Sequence, residues 1–373
     1  MTTSKKKLKS VRDVKDKKEE KVEPIKDGLY FDMPNKVYHH QFDFKDHYIS
    51  SSQGKALIQS PNFFYRKYIS KELPGEEMGP HLDVGTALHT LVLEPHLWDE
   101  DIAIFTGAKR YGKTWDEFKE EHKEKAIITK KEEALVRLLA KFIKQNPAAM
   151  NYLSKEGWNE ASLFITLYSD GKTIYTKTRT DHYSALNKDG WADGISKDVD
   201  ESKLIPLKVK MRFDQFSEDG DLIDIKSTSD NPEDKWAIQN IEKRYSYSFS
   251  AAWYHVILDA YIGWMSDIDM PRPGNFYWVY ASKTYYNTQV YRCSQRAMAA
   301  GRAKVIEALL RLTEGITTNW ETEESAVQVW DIDDKTAKWH GVEGLSVDEK
   351  PEIYKSGPVE ENNDLEDNDL DDL

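Results

Sequence analysis

Along the first 150 residues the apolar positions recur at helical spacing. YISSSQGKALIQ predicts a short helix with Ser51 or Ser52 as its cap, and Ser60-Pro61 supplies an N-cap and first-turn proline for a second. In VGTALHTLVLEP, Val84, Ala87, Leu88, Leu91 and Val92 fall on one helical face, and Pro95 ends the run. Thr129 opens TKKEEALVRLLAKFIKQ, with Glu133 near its positive end, and Asn146-Pro147 starts a shorter helix. From residue 159 the period drops to two. ASLFITLYS, TIYTKTRTDHY, LIPLKVKMRF and DLIDIKST read as strands separated by Asp, Asn and Gly turns. Helical spacing returns at 232–242 and 248–264, NFYWVYAS and NTQVYRCS make a hairpin, and QRAMAAGRAKVIEALLRLTEG is a last long helix. The pattern predicts one α/β domain over residues 27–320, a central mixed sheet flanked by helices, with an insertion at 184–206 between its strands.

The ends are of another kind. Residues 1–26 hold ten Lys/Arg and five Asp/Glu with little apolar content, which predicts a disordered basic arm. Residues 321–357 form a C-terminal extension of ambiguous pattern, and 358–373 a disordered acidic tail; its EENNDLEDNDLDDL carries eight acids and no base. The net charge of −13 means that any DNA must enter a local basic groove on an acidic body. No apolar run approaches the ~18 residues of a membrane span, and no apolar stretch follows the basic N-terminus as in a secretory signal. With the single Cys293 unable to form an internal disulfide, a cytoplasmic location without membrane association is expected.

The chemistry concentrates in VKMRFDQFSEDGDLIDIKST. Asp214 ends one strand, Asp219-Gly220 marks a turn, and Asp224 and Lys226 share one face of the next strand while Ile223 and Ile225 point the other way. A hairpin of this length returns Asp224 beside Asp214. Two carboxylates and an ammonium suit metal-dependent phosphodiester hydrolysis: the acids hold Mg²⁺, and the lysine orients water or stabilises charge. Taken alone, D-x-K is equally the pattern of a surface ion pair on a strand, and Asp13–Lys15 repeats it. A second segment, Lys177–Tyr183, shares the K-x-R-x-D-x-aromatic pattern and makes Asp181 a rival for Asp214. Asp214 is preferred, because one turn closes its ten-residue separation from Asp224 whereas Asp181 lies 43 residues away.

Taken together, these segments resemble the phage and prophage RecE-type exodeoxyribonuclease VIII family of the PD-(D/E)xK superfamily. YISSSQGKALIQSPNFFYRKY is similar to the family's opening segment, VGTALHTLVLEP to its LGTALHxLVLEP helix, and NPAAMNYLSKEGWNEASLF to the stretch leading into its first strand. RFDQF…LIDIKSTSD resembles the RxD…hDhKTT core, YSYSFSAAWY the YxYxxQAAxY segment, and GRAKVIEALLRL…NW the last helix, for coverage of roughly residues 30–320. The resemblance implies a restriction-endonuclease-like fold. It makes His89, Asp214 and Asp224 the metal ligands, Asp214, Asp224 and Lys226 the catalytic set, and Glu160 an additional acid. By its residues alone His89 would be a satisfied core histidine and Glu160 a strand-edge charge. Ser250 departs from the family's Gln, while Tyr254 is kept; both are candidate DNA contacts. Arg66 and Lys67 on the early helix, and Arg110 and Lys113 in a basic-aromatic loop, are further candidates.

What the resemblance implies is Mg²⁺-dependent exonuclease action, with Mn²⁺ as substitute, on double-stranded DNA ends. It also implies 5′→3′ polarity, a single-strand annealing protein as partner in phage-type recombination, and a ring-shaped homo-oligomer. Two alternatives stand beside it: a DNA-end or protein-binding scaffold that keeps the fold, and a structure-specific endonuclease of the same superfamily.

Overall fold

The computed structural model describes residues 24–31, 33–40, 43, 46–73, 80–192, 199–265, 269–320, 325–327 and 352–354. The expected acidic tail and nearly all of the basic arm lie outside these residues, as does most of the 321–357 extension. The chain forms two compact units, residues 1–317 and 318–373.

The first unit begins with β1 (Gly28–Tyr30), α1 (Asn35–His39), α2 (Ser51–Gln59) and α3 (Pro61–Phe64). There follow α4 (Pro80–Leu93), α5 (Trp98–Asp101), β2 (Ile102–Phe105), α6 (Lys113–Glu121), β3 (Ala126–Thr129), α7 (Lys130–Gln145) and α8 (Pro147–Leu153). Strands then dominate: β4 (Gly157–Asn159), β5 (Ser162–Ser169), β6 (Ile174–Lys177), β7 (Tyr183–Asn187), β8 (Gly190–Trp191), β9 (Ile205–Arg212), β10 (Gln215–Ser217) and β11 (Leu222–Thr228). The unit closes with α9 (Lys235–Tyr245), α10 (Tyr247–Ala260), β12 (Phe276–Ser282), β13 (Thr288–Arg292) and α11 (Gln295–Thr317). In the second unit β14 (Ser325–Val327) pairs antiparallel with β15 (Glu352–Tyr354).

The expected mixed sheet is the five-stranded one, ordered β13-β12-β11-β10-β4. Only β11 and β12 run parallel, because the α9–α10 crossover carries the chain back to the start of the sheet. Periodicity did not show a second sheet, antiparallel, in which β5 pairs with β1 and β6 on one side and β9 on the other. Residues 184–191 are not an excursion from the fold, as expected of an insertion, but supply β7 and β8 to that sheet's edge.

Local chemistry explains the helix boundaries. The cap of α2 is Ser50, one residue before the two expected, because Gln53 completes a capping box by accepting the Ser50 amide (2.9 Å). Thr129 does the same for α7 with Glu132, which accepts the Thr129 amide at 2.8 Å. The predicted stripe of α4 buries Val84, Ala87 and Leu88 against Ile223, Ile225, Val136, Leu139 and Ile143. Each large aliphatic side chain buried there stabilises by about 1.5–3 kcal/mol, and together they fix α4 over β11. The β10–β11 hairpin turns at Gly220, whose φ of 86° and closeness to the Arg272 carbonyl exclude a side chain.

Helix α11 approaches α10 at Gly301, where a Cβ would run into the Ser248 carbonyl oxygen and come within 2.8 Å of Ala252 Cβ. Gly301→Ala gains ~1 kcal/mol of helix propensity. It loses about 1–3 kcal/mol to overpacking against a backbone that does not yield, so a net loss of stability in denaturant melts is expected. A second prediction concerns His47, which is buried and bonded through Nε2 to the Gln53 amide at 2.8 Å. Burial and the nearby Lys210 ammonium lower its pKa from the usual 6.5 to about 4. The unfolded chain therefore binds more protons between those values. The stability contribution is complete above pH ~6.5 and is lost as pH falls toward 4. Thermal midpoints should fall over this window, and less steeply in His47→Gln; an equally steep variant would exonerate His47.

Candidate active site

Register places three acids in one lateral row. Opposite β10 and β9, Asn159 faces Gln215 and Ser162 faces Arg212, in a frame that sets Glu160 against Asp214. On the other side of β10, Gln215 faces Ile223, which sets Asp214 against Asp224. Residues directly opposed across strands lie on the same face. The ladder loosens at this row but does not slip: the Glu160 amide donates to the Asp214 carbonyl (2.9 Å) and the Phe213 amide to the Ala161 carbonyl (3.2 Å). Glu160 has a left-handed backbone, φ 46°, which costs a residue with a Cβ about 1–2 kcal/mol. This kink is where the mixed sheet hands over to the antiparallel one.

Helix α4 brings His89 onto the row. Its Nε2 lies 2.9 Å from the Ile225 carbonyl oxygen, which only accepts, so Nε2 carries the proton and donates. Nδ1 is thereby turned toward Glu160 Oε1 at 3.4 Å and Asp214 Oδ1 at 3.6 Å. Ligand atoms of His89, Glu160 and Asp214 lie within 4.8 Å of one another. Asp224, expected as a ligand, stands outside that trio: its carboxylate lies 2.7 Å from the Lys226 ammonium. Asp214 Oδ2 accepts the Ile225 amide at 2.7 Å, so the two aspartates are tied through the backbone of β11.

Charge balance follows from burial. Desolvation raises the pKa of Asp214, against the pull of His89 and Lys226. It pushes Asp224 up to about 6, against Lys226. Burial works against a charged His89, but Asp214 and the close Glu160 outweigh it and lift the imidazole to about 9. Burial likewise opposes charge on Lys226, yet Asp224 and Asp214 hold it as an ammonium. Among the described residues the buried Glu160 Oε1 has no hydrogen-bond partner. An anionic oxygen left bare beside a histidine nitrogen and a second carboxylate fits a divalent cation. One imidazole with two carboxylates suits Mn²⁺ as well as Mg²⁺.

These groups open into a cleft of about 1030 Å³ whose walls include Tyr38, Arg212, Tyr247, Tyr254 and Tyr280. Its lining is not the expected basic groove: Arg212, Lys226, Arg244 and Lys283 are matched by Glu94, Glu100, Asp101, Glu160, Asp214 and Asp230. Tyr254 lines it from α10, and burial raises its phenol pKa well above the usual 10. Ser250 accepts from the Ser51 hydroxyl at 3.2 Å, joining α10 to α2. The other candidates lie off the cleft lining. Arg66 pairs with Glu72 at 3.0 Å, and the Lys67 ammonium stands over the Phe63 and Tyr68 rings. Arg110 is used internally, donating to Glu132 (3.1 Å) and the Ile127 carbonyl (2.9 Å), while exposed Lys113 pairs with Glu117 at 3.7 Å. Asp181 sits exposed in the β6–β7 turn, 3.1 Å from Lys177. Sequence reasoning missed Arg212, which donates to Ser162 Oγ (2.7 Å) and the Met33 carbonyl (2.7 Å) beside Glu160; the R-x-D spacing was its signal. It also missed Lys55, on α2, which donates to the Tyr245 carbonyl at 2.6 Å.

No curated protein matches the chain in sequence. Among solved structures it is similar to a protein from Eubacterium rectale described as a "Putative exonuclease", at 12% identity and a TM-score of 0.46 over 79% of this chain and 89% of that one. A family model matches residues 50–326, about three quarters of the length. The chain thus belongs to the family described as a PDDEXK-like domain of unknown function (DUF3799).

Proposed function

We propose that the protein is a metal-dependent DNA exonuclease that degrades linear duplexes from their ends, 5′→3′ as in RecE-type enzymes. The observation that carries this reading is the row Glu160–Asp214–Asp224, with His89 Nδ1 turned into one end and the Lys226 ammonium bonded at the other. His89, Glu160 and Asp214 would hold the ion, Mg²⁺ with Mn²⁺ as substitute. When bound, it supplies Lewis-acid polarisation of a phosphoryl oxygen and a more acidic water.

The chain's own residues do the rest. Asp224 keeps Lys226 charged in a buried site, and Lys226 aims an ammonium at the charge that develops on the phosphate. The Ile225 carbonyl fixes the imidazole so that Nδ1, not Nε2, offers its lone pair. Tyr254 and Tyr247 line the same cleft as the acids, where their rings would exclude water from a bound phosphate. Work as a ring-shaped homo-oligomer beside a single-strand annealing protein in phage-type recombination belongs to the same proposal, as does a cytoplasmic site of action.

Digestion of end-labelled linear duplex in Mg²⁺, with chelator and closed circular duplex as controls, tests the reading. Asp214→Asn and Lys226→Ala should each lower turnover by about 10²-fold or more while DNA binding persists. Asp181→Asn should keep most of the activity. Full turnover in either of the first two, or cutting of the closed circle, would refute the exonuclease assignment. Calorimetric titration with Mn²⁺ should show weaker binding in His89→Ala and Glu160→Gln, independent of any cleavage.

A further inference from the structure

Beside Lys226 the cleft gathers aromatic rings: the Lys226 ammonium lies over Tyr247, which packs against Tyr245 and Tyr280, and Arg244 and Lys283 line the same cleft. Helix α9 ends at Tyr245 and α10 starts at Tyr247, and Ser246 between them takes a left-handed conformation, φ 47°. Two residues apart in a continuous helix, the tyrosines would point in divergent directions. The left-handed step instead lays their rings together, 5.5 Å between centroids and 18° between planes. Glu242 clamps the break by accepting the Ser248 amide at 2.9 Å, and Lys55 holds it from α2 through the Tyr245 carbonyl.

Cations surround the stacked pair. The Lys55 and Lys226 ammonium groups lie 5.5 and 5.9 Å from the Tyr247 ring centre, and the Arg244 guanidinium 5.6 Å from that of Tyr245. Arg244 also pairs with Asp230 at 3.0 Å, but an exposed pair of this kind is worth little and is open to exchange. Despite the stacking, Tyr245 remains 49% exposed. The β12–β13 turn adds exposed Tyr285 and Tyr286 just beyond Lys283, and is held to the 228–231 loop by Lys283 N to the Thr228 carbonyl (2.7 Å) and Asn287 to Asn231 (3.1 Å).

Flat rings left open to water and interleaved with cations match one ligand chemistry closely. An unpaired strand offers base faces to the rings and phosphates to the cations; a duplex hides its base faces and offers phosphates alone. We infer that the Tyr245–Tyr247 pair is a stacking platform for single-stranded DNA, on which a strand is seated by its bases as it leads to the acid row. This rests on the nuclease reading for its purpose, since the platform opens onto that row, but it makes its own demand: the end must be unpaired before it is cut.

The test uses the full-length protein in EDTA, so that nothing is cleaved. Fluorescence anisotropy compares a labelled thymidine oligonucleotide with an abasic strand of equal length and charge. Wild type should bind the base-bearing strand about tenfold tighter or more. Tyr245→Ala should erase that difference and Tyr245→Phe should keep it, with unchanged melting temperatures showing that all three proteins are folded. Equal affinity of the wild type for both strands, or a preference that survives Tyr245→Ala, would overturn the platform. Base-dependent binding without metal-dependent cleavage would sink the nuclease assignment alone, and cleavage without base-dependent binding would sink the platform alone.

Discussion

Everything at the candidate site depends on one register, that of β4–β5 against β9–β10. Shifting it by one residue would send Glu160 and Asp214 to opposite faces and dissolve the row. The row does not hold itself together: it gathers carboxylates in a desolvated place, which raises the pKa of Asp214 and Asp224 rather than stabilising their charge. The register is held from outside. Leu163, Ile165 and Leu167 on β5 and Leu207, Val209 and Met211 on β9 are fully buried, and Trp253 of α10 donates to the Lys210 carbonyl on β9. At about 1.5–3 kcal/mol for each large side chain, this apolar burial outweighs the left-handed kink at Glu160 several times over.

How far the site was legible follows from how local each signal is. Asp224 and Lys226 could be read because a strand alternates strictly, and Asp214 because a single glycine turn separates it from them. Periodicity placed His89 on a helix, and only the family resemblance put it with the acids, since that contact depends on α4 docking against β11 across more than a hundred residues. Glu160 was the weakest of the expected acids and is among the three whose ligand atoms converge. Its place follows from pairing with a strand some fifty residues later, and from a backbone conformation that no periodicity announces. The second sheet was missed for the same reason. β5 and β9 belong to one sheet while their short continuations β4 and β10 belong to another, and the alternation of the sequence runs straight through the change.

Basic residues were harder to read than acidic ones. Arg110 lay in a loop with the composition of a phosphate contact, yet its guanidinium is consumed by Glu132 and a backbone carbonyl. Lys55 carried no pattern at all, and it ends beside Lys226 with its pKa pushed down to about 8 by burial and then by that neighbouring cation. A long flexible side chain says little about where its charge ends, because the stem can bury while the head travels.

The acid-rich lining of the cleft bears on how DNA could enter it. A polyanion meeting Glu94, Glu100, Asp101, Glu160 and Asp214 together would be repelled from the very groups that are to act on it. Two features offset this. Lys226 stays cationic at neutral pH, held so by the carboxylates it faces. A divalent cation on Glu160 and Asp214 would neutralise their charge and take the place of the proton that His89 carries without it. Of the remaining positive charge, Arg212 stands near Glu160, while Arg244 and Lys283 line the cleft and Lys55 stands over the Tyr247 ring. On the proposed reading, a strand would be drawn first to the tyrosines and cations beside Lys226, and the acids would accept it only with metal in place. Such an order would make cleavage conditional on the cation twice, once for reactivity and once for admission.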